Sequence, residues 1–385
     1  MLAVAVPLAD DYPRFHTDLT DILSPEMILK TLLSLLIFTS VSMPIALAEH
    51  SPSASSIDTL LASMSNEEKA AQLILVYFSS TEFVASHGFG GVLVMQNMIK
   101  DLDQLSSRLQ RLQQQSKIGV LVTIDQEGGK VNRLKYLPGW KHLPSAKTMS
   151  HWPTGKIEAH NRRVARILKR AGIHLNLAPV LDPSHNQSGE QTLIGFEQRA
   201  FGKTGDRIVA NTSAVIRGFH SQGILTIAKH FPGYNVAAHS DHEIAISHAT
   251  KQDITRNAET FGRVAPQVDG VMISSIQYQK LDSRPAVLSP RVVAWARQIY
   301  PDKLIITDDL WGVALRSWIN PKAAEHHNYP DRDFLQLVRM TLDAGNDLLM
   351  ITYPQKALVM KQAIAKWMQT DPELREKVNH SVRRI

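Results

Sequence analysis

The chain has 385 residues, of which 44% are hydrophobic and 20% are charged, the balance of an ordinary globular protein. The absence of cysteine excludes disulfides, thiolate catalysis, cysteine-ligated zinc and a lipid-bearing N-terminal cysteine. The net charge of +6 comes from scattered lysines and arginines without a clustered stripe, so we predict no nucleic-acid partner.

The N-terminal part of the chain combines two segments of opposite character. Residues 1–26 are rich in aspartate and nearly free of basic side chains, which is the wrong chemistry for a leader peptide. Residues 27–48 have Lys30 ahead of an apolar core and end in small side chains up to Ala48. This pattern is typical of a signal peptide that is cleaved before Glu49.

Three further expectations follow from this leader. Translation is predicted to begin at Met27, so that residues 1–26 are an upstream stretch assigned by a wrong start. Residues 49–56 are predicted to be a polar linker, and the mature protein is predicted to be periplasmic or secreted. The alternative is an uncleaved membrane anchor, which the serines, threonines and Pro44 within the run disfavour. We expect no stable membrane insertion after cleavage.

Short apolar runs alternate with helical patterns along residues 57–385. Runs without polar alternation are typical of parallel strands that are covered on both faces, and the intervening helices indicate βα units. The pattern therefore predicts an α/β fold, a single (β/α)₈ barrel, over an open doubly wound sheet, for which no glycine-rich phosphate fingerprint follows the first strand. The predicted strands are residues 73–78, 90–95, 119–125, 174–182, 224–231, 270–276, 304–310 and 347–352.

Charged residues recur where the predicted strands end. In a barrel of this kind the carboxyl ends of the strands surround the active site, whereas charges are rare inside strands. Each of these residues could also cap the helix that follows it. As a set they predict a polar pocket at one end of the barrel. They are Asp125, Glu127, Arg133, Asp182, Lys229, His230, Asp308 and Asp309.

The segment KHFPGYNVAAHSDHE, residues 229–243, concentrates titratable groups after the fifth predicted strand. Its histidines are His230, His239 and His242. Histidines in such a loop can be solvated, can bind a metal or can move protons, because an imidazole titrates near neutral pH. No metal-ligand pattern beyond the histidine-rich spacing supports a metal, so we predict none, and no cofactor.

Several of these segments together resemble glycoside hydrolase family 3, in particular its β-N-acetylglucosaminidase branch. The resemblance extends from about Ser65 to Arg384 and is most specific where DQEGG is followed by an arginine and where KHFPG follows a strand. It implies a barrel and a glycosidase. The matching segments are MSNEEKAAQLIL, GGVLVM, IDQEGGKVNRL, LNLAPVLDP, FEQRAFG, KHFPG, LDSRPAVLSP, IITDDL and AGNDLLM.

The resemblance also implies roles for individual residues. Asp308, the first aspartate of TDDL, aligns with the nucleophile. His242 aligns with a histidine that gives and takes the proton, and in the family an aspartate two residues earlier supports that histidine. A retaining glycosidase needs these two groups on opposite sides of the scissile bond. The positions that match sugar-holding residues are Asp125, Arg133, Arg199, Lys229 and His230.

This chain departs from the family pattern in the proton-transfer loop. The family segment KHFPGHGDTxxDSH reads KHFPGYNVAAHSDH here. Ser240 stands where the supporting aspartate belongs, and Ser275 stands where the branch has a histidine. A serine does not stabilise an imidazolium as a carboxylate does. We therefore predict Asp241 as the supporting carboxylate of His242, with His239 as the alternative donor.

We predict an exo-acting retaining β-N-acetylglucosaminidase that acts on peptidoglycan fragments or chitin-derived oligosaccharides as a monomer. A phosphorylase is one alternative, since a site without a carboxylate acid repels phosphate less. A β-glucosidase specificity is another. A sugar-binding protein that has lost catalysis is the alternative from a different class, which the altered loop favours and the retained Asp308 opposes.

Overall fold

Eight parallel strands of the computed structural model form one sheet that closes into a barrel. Neighbouring strands follow the order β10, β1, β2, β3, β4, β5, β7, β9. Thr307 closes the ring, because its N–H donates to Leu348 O at 3.0 Å and its hydroxyl accepts from Met350 N–H at 2.9 Å. The strands are β1 Ile74–Tyr77, β2 Gly91–Val94, β3 Leu121–Ile124, β4 Leu175–Asn176, β5 Leu225–Phe231, β6 Ile246–Ser247, β7 Gly270–Ile273, β8 Gln277–Tyr278, β9 Leu304–Thr307 and β10 Leu349–Ile351.

The structure describes residues 54–324 and 328–385. The stretch predicted as a wrong start, 1–26, and the predicted signal peptide, 27–48, lie outside the described residues. Within the described ranges no helix has the length and apolar character that a bilayer-spanning segment requires. The unit that begins at Ala54 is compact to its last residue, and its first helix starts inside the stretch predicted as a linker.

Helices surround the barrel and connect consecutive strands. β6 and β8 lie outside the barrel and pair with each other. The predicted (β/α)₈ architecture is confirmed, since each of the predicted apolar runs supplies one barrel strand. The helices are α1 Ala54–Ser63, α2 Asn66–Gln72, α3 Thr81–His87, α4 Leu102–Gln115, α5 Ala146–Met149, α6 Thr154–Ala171, α7 Leu193–Phe196, α8 Gly205–His220, α9 Lys251–Val264, α10 Pro290–Ile299, α11 Val313–Ile319, α12 Asp331–Ala344, α13 Pro354–Thr370 and α14 Pro372–Arg384.

Local sequence signals set several helix ends. Ser65 and Glu68 form a capping box at the start of α2: the Glu68 N–H donates to Ser65 Oγ at 3.2 Å and the Ser65 N–H donates to Glu68 Oε2 at 2.8 Å. α6 ends at Gly172, whose φ of 88° lies in the left-handed region that glycine adopts without strain. Both ends are readable from the sequence, because the atoms that stabilise them are near neighbours along the chain.

One predicted strand is much shorter than its apolar run. Of residues 174–182 only Leu175–Asn176 pair as β4. Pro179 has no N–H with which to continue a ladder. The Asn176 side chain forms two hydrogen bonds with the Gln126 backbone: its Oδ1 accepts from the N–H and its Nδ2 donates to the carbonyl, both at 2.9 Å. The run still follows β5, since Leu181 N–H donates to Lys229 O at 2.8 Å.

The hydrophobic core has two layers. The outer layer lies between the strands and the helices and includes Val76, Val92 and Ile305. The inner layer fills the barrel with side chains that alternate with these along the strands, among them Leu75, Leu93, Leu175, Ile227, Met272, Ile306 and Met350. A filled barrel leaves room for a ligand only at its ends, where the loops begin.

Candidate active site

A cavity of about 360 Å³ opens at the carboxyl ends of the barrel strands. Leu93, Leu177, Met272 and Met350, from the inner core, form part of its lining. The remaining lining is mostly polar and comes from loops that follow the strands. The sequence-predicted residues in this lining are Asp125, Arg133, Arg199, Lys229, His230, His239, Asp241, Asp308 and Asp309.

A cluster of ion pairs forms one side of the cavity. The Lys229 ammonium bonds Asp125 Oδ1 and lies 2.7 Å from Glu127 Oε1. Arg133 Nη2 donates to Asp125 Oδ2 at 2.9 Å, and Arg199 donates from Nε and Nη2 to the two Glu127 oxygens, each at 2.8 Å. The strand ends bring these residues together, because β3 and β5 both run toward this end of the barrel.

Mutual compensation keeps the cluster ionised. Burial disfavours a charge on Asp125, but the Lys229 ammonium and the Arg133 guanidinium lower its pKa below the ordinary value of 3.8. Burial likewise opposes the charge of Glu127, and Arg199 and Lys229 lower its pKa from 4.5. Burial opposes the charge of Lys229 as well, yet the two carboxylates raise its pKa. The carboxylates therefore contribute stability that is present above their ordinary pKa values and is lost as the pH falls through the lowered ones.

Lys229→Met is expected to lower the free energy of unfolding by about 3–5 kcal/mol, because the buried carboxylate of Glu127 and the partly buried one of Asp125 lose their shared cation. The Lys229 side chain is 3% exposed and Glu127 is 6% exposed, so water does not replace the ammonium. Denaturant titration at pH 7 measures the effect. Lys117→Met is the matched control: Lys117 is 71% exposed in its pair with Glu68, and its loss is expected to cost below about 1 kcal/mol. Equal midpoints for the two variants would contradict the expectation.

Asp182 holds the turn after β5 in place through hydrogen bonds. Its buried carboxylate accepts hydrogen bonds from the N–H of His230 at 3.1 Å, from the N–H of Tyr234 at 2.7 Å and from His230 Nδ1 at 2.7 Å. The last bond places a proton on Nδ1, so Nε2 is the nitrogen that His230 can offer to a ligand in the cavity. Asp182, predicted at a strand end, therefore positions a lining residue and is itself absent from the lining.

The two adjacent aspartates after β9 have different surroundings. Asp309 accepts hydrogen bonds from the N–H groups of Trp311 and Thr352, both at 3.0 Å, and from the Thr352 hydroxyl at 2.5 Å. Asp308 accepts from the Asp309 N–H at 2.9 Å and, at 3.5 Å, from the Ser275 hydroxyl. Asp309 is thus tied into the loops, and Asp308 is the carboxylate with weakly engaged oxygen facing the cavity.

Asp309→Asn is expected to raise the melting temperature at pH 8 by several degrees and to change it little at pH 4. Burial raises the pKa of Asp309 to about 6, against hydrogen bonds from Thr352 and Trp311 that lower it. A raised pKa in the folded state gives stability that is full below the unfolded value of 3.8 and is lost as the pH rises through about 6. An asparagine side chain does not ionise, so this loss of stability does not occur, and its oxygen can still accept the hydrogen bonds from the N–H groups of Trp311 and Thr352. Thermal melts at both pH values test this, with the exposed Asp302→Asn as control; an unchanged pH dependence for Asp309→Asn would contradict it.

Tyr234 holds the loop between β5 and β6 in place. Its buried hydroxyl donates to the Ala238 carbonyl and accepts from the Ser240 N–H at 3.0 Å. Burial raises the pKa of Tyr234 to about 12, so the hydroxyl keeps its proton at neutral pH. At the far end of the loop, the Val313 N–H donates to Asp241 O at 3.2 Å. The loop is therefore anchored on both sides of its histidines.

This anchored loop brings His239, and not His242, to the cavity. His239 lines the cavity, with its Nδ1 at 3.9 Å from Asp241 Oδ2 and its Nε2 at 4.0 Å from Glu197 Oε1. His242 is exposed and absent from the lining, although its ring centroid lies 4.6 Å from that of His239. The sequence-based choice of His242 thus falls on the outer of two neighbouring rings. Ser240, which lies between the two histidines in the chain, is buried, and its N–H bonds the Tyr234 hydroxyl.

The carboxylate of Asp241 interacts with the histidines of the loop and with Asp308. The Asp241 side chain is 61% exposed, yet the surrounding loop removes part of its hydration and Asp308 repels its charge, and both effects raise its pKa. His239 and His242 lower it. A carboxylate at 3.9 Å is beyond hydrogen-bonding distance of the His239 ring but stabilises a positive charge on it. In addition, the backbone N–H of Asp241 donates a hydrogen bond to His239 Nδ1 at 3.3 Å.

Comparison with known proteins identifies the family. The sequence profile of the Glycosyl hydrolase family 3 N terminal domain matches residues 65–385. The chain belongs to glycosyl hydrolase family 3. This confirms the predicted resemblance, and the matched range includes every cavity residue described above.

Individual relatives agree with this family. A Beta-hexosaminidase of Pseudomonas aeruginosa is 32% identical over 200 residues, which are 50% of this chain and 57% of that protein, so the chain spans little more than half of its length. A Beta-hexosaminidase of Pasteurella multocida is 26% identical over 297 residues, 73% of this chain and 78% of that protein. The Beta-N-acetylhexosaminidase structure from Beutenbergia cavernae has a TM-score of 0.72 at 23% identity and covers 84% of this chain and 98% of that one. Structural similarity at this identity shows the shared fold.

The family 3 site contains residues that sequence reasoning did not select. Glu197 is buried, bonds the Lys130 ammonium, and accepts from Arg199 Nη1 at 3.2 Å. Arg133 Nη1 also donates to Gln96 Oε1 at 2.9 Å. A signal for Glu197 existed, since it lies two residues before Arg199 in FEQRAFG. Gln96 carried no signal, because its partner Arg133 lies 37 residues further along the chain. Tyr234 carried none either, because its bonds to Ala238 and Ser240 lie within an irregular loop.

The arrangement of histidines and carboxylates bears on whether this site binds a metal. Across residues 54–324 and 328–385, no three His, Asp or Glu side chains are grouped as a metal ion would require. The closely spaced histidines and carboxylates in and beneath the cavity are instead arranged in pairs, such as His230 with Asp182 and His239 with Asp241.

Proposed function

We propose that this chain is a β-N-acetylhexosaminidase that releases a terminal N-acetylglucosamine from a glycan by a retaining mechanism. One observation carries the proposal: Asp308, with its weakly engaged carboxylate, lines the same cavity as the Asp125–Lys229–Arg133 ion-pair cluster and the His239–Asp241 pair. These are the three elements that such a reaction needs, namely a nucleophile, groups that hold hydroxyls, and a proton donor. The relatives named Beta-hexosaminidase support the choice of sugar.

The charged cluster suits the binding of a sugar ring. Charged donors and acceptors make stronger hydrogen bonds to hydroxyls than neutral groups do, and the ion pairs hold them in fixed orientations. The cavity of about 360 Å³ is near the lower limit of ordinary ligand pockets, which suits one terminal sugar rather than a chain threaded through the site. This size supports exo action on fragments of peptidoglycan or chitin.

In the first chemical step, an Asp308 oxygen attacks the anomeric carbon while the bond from that carbon to the leaving oxygen breaks. The leaving oxygen takes a proton from the donor and departs as an alcohol. In the second step the same group removes a proton from water, the water oxygen attacks the anomeric carbon, and the bond to Asp308 breaks. Two inversions at one carbon retain the β configuration.

His239 is proposed as the proton donor of this chain, with Asp241 as its supporting carboxylate. His239 lines the cavity and has a carboxylate oxygen 3.9 Å from Nδ1, whereas His242 is exposed and has Ser240 at the position of the family's aspartate. The proposal replaces the sequence-based choice of His242 by its neighbour and keeps Asp241 in the role predicted for it.

Hydrolysis of a chromogenic β-N-acetylglucosaminide, measured beside its glucoside counterpart with and without phosphate, tests the function. The expected result is release of N-acetylglucosamine at a rate independent of phosphate, with much slower cleavage of the glucoside. Formation of N-acetylglucosamine 1-phosphate would identify a phosphorylase. Binding of N-acetylglucosamine without any turnover would identify a sugar-binding protein.

Export remains part of the proposal. Natively expressed protein is expected to begin at or near Glu49, because the apolar segment before Ala48 has the composition of a cleaved signal peptide. N-terminal sequencing of the protein recovered from the periplasm or the medium measures this. Recovery of protein that still carries residues 1–26 would contradict both the cleavage and the start at Met27.

A further inference from the structure

A second cavity, of about 470 Å³, adjoins the loop that carries His239. The loop between β5 and β6 lines both cavities: Tyr234 and His239 line the first, and Asn235, Val236 and Ala237 line the second. The two cavities have no lining residue in common. The loop is held against the segment after β4 by the hydrogen bond from Leu193 N–H to Val236 O at 2.8 Å. The second cavity is therefore a neighbour of the first.

Asn235 lines the second cavity with a side chain that is almost fully buried. The residue is 4% exposed, and within the described residues its Oδ1 has no hydrogen-bond partner. A buried amide oxygen without a donor costs about 1–3 kcal/mol, so a ligand that supplies a donor at this point gains affinity. The second cavity also has a second buried amide in its lining, that of Asn257, which is 9% exposed.

The backbone brings these two amides to the same place. Gly233 adopts a φ of +122°, and a Cβ at this position would lie 2.7 Å from Asn257 Cβ. The loop can therefore lie directly on α9 only with glycine at residue 233. This close approach places Asn235, two residues further on, in the same cavity as Asn257.

Two carboxylates line the second cavity, and each accepts a hydrogen bond from a neutral side chain. Glu190 Oε2 accepts from Asn186 Nδ2 at 2.7 Å, and Asp253 Oδ2 accepts from the Thr250 hydroxyl at 2.7 Å. Its lining contains no lysine or arginine. The lining therefore offers an anion no lysine or arginine, while the carboxylates of Glu190 and Asp253 can accept further hydrogen bonds from a hydroxyl.

Besides these carboxylates and His248, the lining consists of amides, hydroxyls and small apolar side chains. An amide both donates and accepts, and so matches a hydroxyl or an acetamido group. Val236, Ile246 and Ala249 supply apolar surface for carbon–hydrogen faces. A ring with hydroxyls at its edge and carbon–hydrogen groups on its faces presents this combination, which is the chemistry of a neutral saccharide.

We propose that the second cavity is a binding subsite for a neutral saccharide, with Asn235 and Asn257 as its hydrogen-bonding residues. The subsite is separate from the site of bond cleavage and shares only the loop between β5 and β6 with it. This proposal rests on the proposed function only in the choice of N-acetylglucosamine as the sugar to test.

Calorimetric titration of the full chain with N-acetylglucosamine tests the proposal. The wild type is expected to bind two equivalents. Asp125→Ala removes a sugar-holding group of the first cavity and is expected to leave one equivalent. Asn235→Leu and Asn257→Leu are each expected to weaken the other equivalent about tenfold or more, because each removes a buried hydrogen bond to the ligand. Asn328→Leu, a change at an exposed residue outside the second cavity, is the matched control and should bind as the wild type does.

Ser188→Trp provides a variant that leaves the buried amides in place. Ser188 is exposed at the rim of the second cavity, so a tryptophan there should obstruct it without disturbing the loop beneath. Two outcomes would overturn the proposal. In one, the wild type binds a single equivalent and Asp125→Ala abolishes that binding; in the other, it binds two equivalents and neither Ser188→Trp nor Asn235→Leu weakens either of them. In both cases the partner of Asn235 would be a buried water. If the wild type binds N-acetylglucosamine in a way that depends on Asn235 and Asn257 but has no hydrolase activity, the proposed function is overturned and the subsite is retained.

Discussion

Asp308→Ala is expected to lower kcat on an aryl β-N-acetylglucosaminide by about 10³–10⁵-fold while leaving binding of N-acetylglucosamine measurable. The reason is that Asp308 forms and breaks the covalent bond in both chemical steps, whereas the Asp125–Lys229–Arg133 cluster holds the sugar independently of it. Steady-state kinetics and a binding titration on the same preparation separate these two effects.

Two further measurements identify the attacked carboxylate. A small anion such as azide fits the space that the alanine leaves, so azide is expected to restore turnover of the variant with an activated leaving group and to yield the α-glycosyl azide. A slow fluorinated substrate should label the wild-type peptide at Asp308 in mass spectrometry. Label on Asp309, or near-normal turnover of Asp308→Ala, would falsify the assignment. The structure disfavours Asp309 because its carboxylate is occupied by Trp311 and Thr352.

His239→Ala is expected to reduce kcat/KM on a natural disaccharide by about 10²–10⁴-fold and on a nitrophenyl glycoside by less than about tenfold. A sugar alcohol leaves only when it is protonated, whereas a nitrophenolate leaves without help. The ratio of the two effects reports proton donation, and a merely structural role for His239 would slow both substrates equally.

His242→Ala is the matched control, because it removes the same side chain from the adjacent exposed position. It is expected to change kcat/KM little on either substrate. If His242→Ala shows the leaving-group dependence and His239→Ala does not, the loop carries His242 inward during catalysis and the sequence-based assignment holds. Asp241→Asn is expected to resemble His239→Ala in direction with a smaller effect, since it weakens the stabilisation of the imidazolium without removing the donor.

The barrel was predictable because its determinants are periodic and local. Runs such as residues 224–231 and 304–310 are apolar without alternation, as strands that are buried on both faces must be. Ser65 with Glu68, and Gly172, mark helix ends through atoms a few residues apart. The charged cluster was predictable in part, because parallel strands deliver their carboxyl ends to one rim, which brings Asp125 and Lys229 together.

The distinction between chemically identical neighbours was beyond the sequence. Asp308 and Asp309 differ only in which of them faces Thr352, a residue from the next strand end. His239 and His242 differ in which of them the loop directs inward. That direction depends on the Tyr234 hydroxyl and on a backbone bond from Val313 to Asp241, two contacts that no local pattern encodes.

The amino-acid sequence by itself determined the architecture, the family and the side chains available at the strand ends, because hydrophobic burial and strand direction follow from residue type and order. Tertiary structure alone decided which of those side chains meet, which aspartate keeps weakly engaged oxygen, and which histidine reaches the cavity. Those outcomes depend on hydrogen bonds and ion pairs between segments that are up to 104 residues apart, as from Asp125 to Lys229, and such contacts exist only once the barrel has closed.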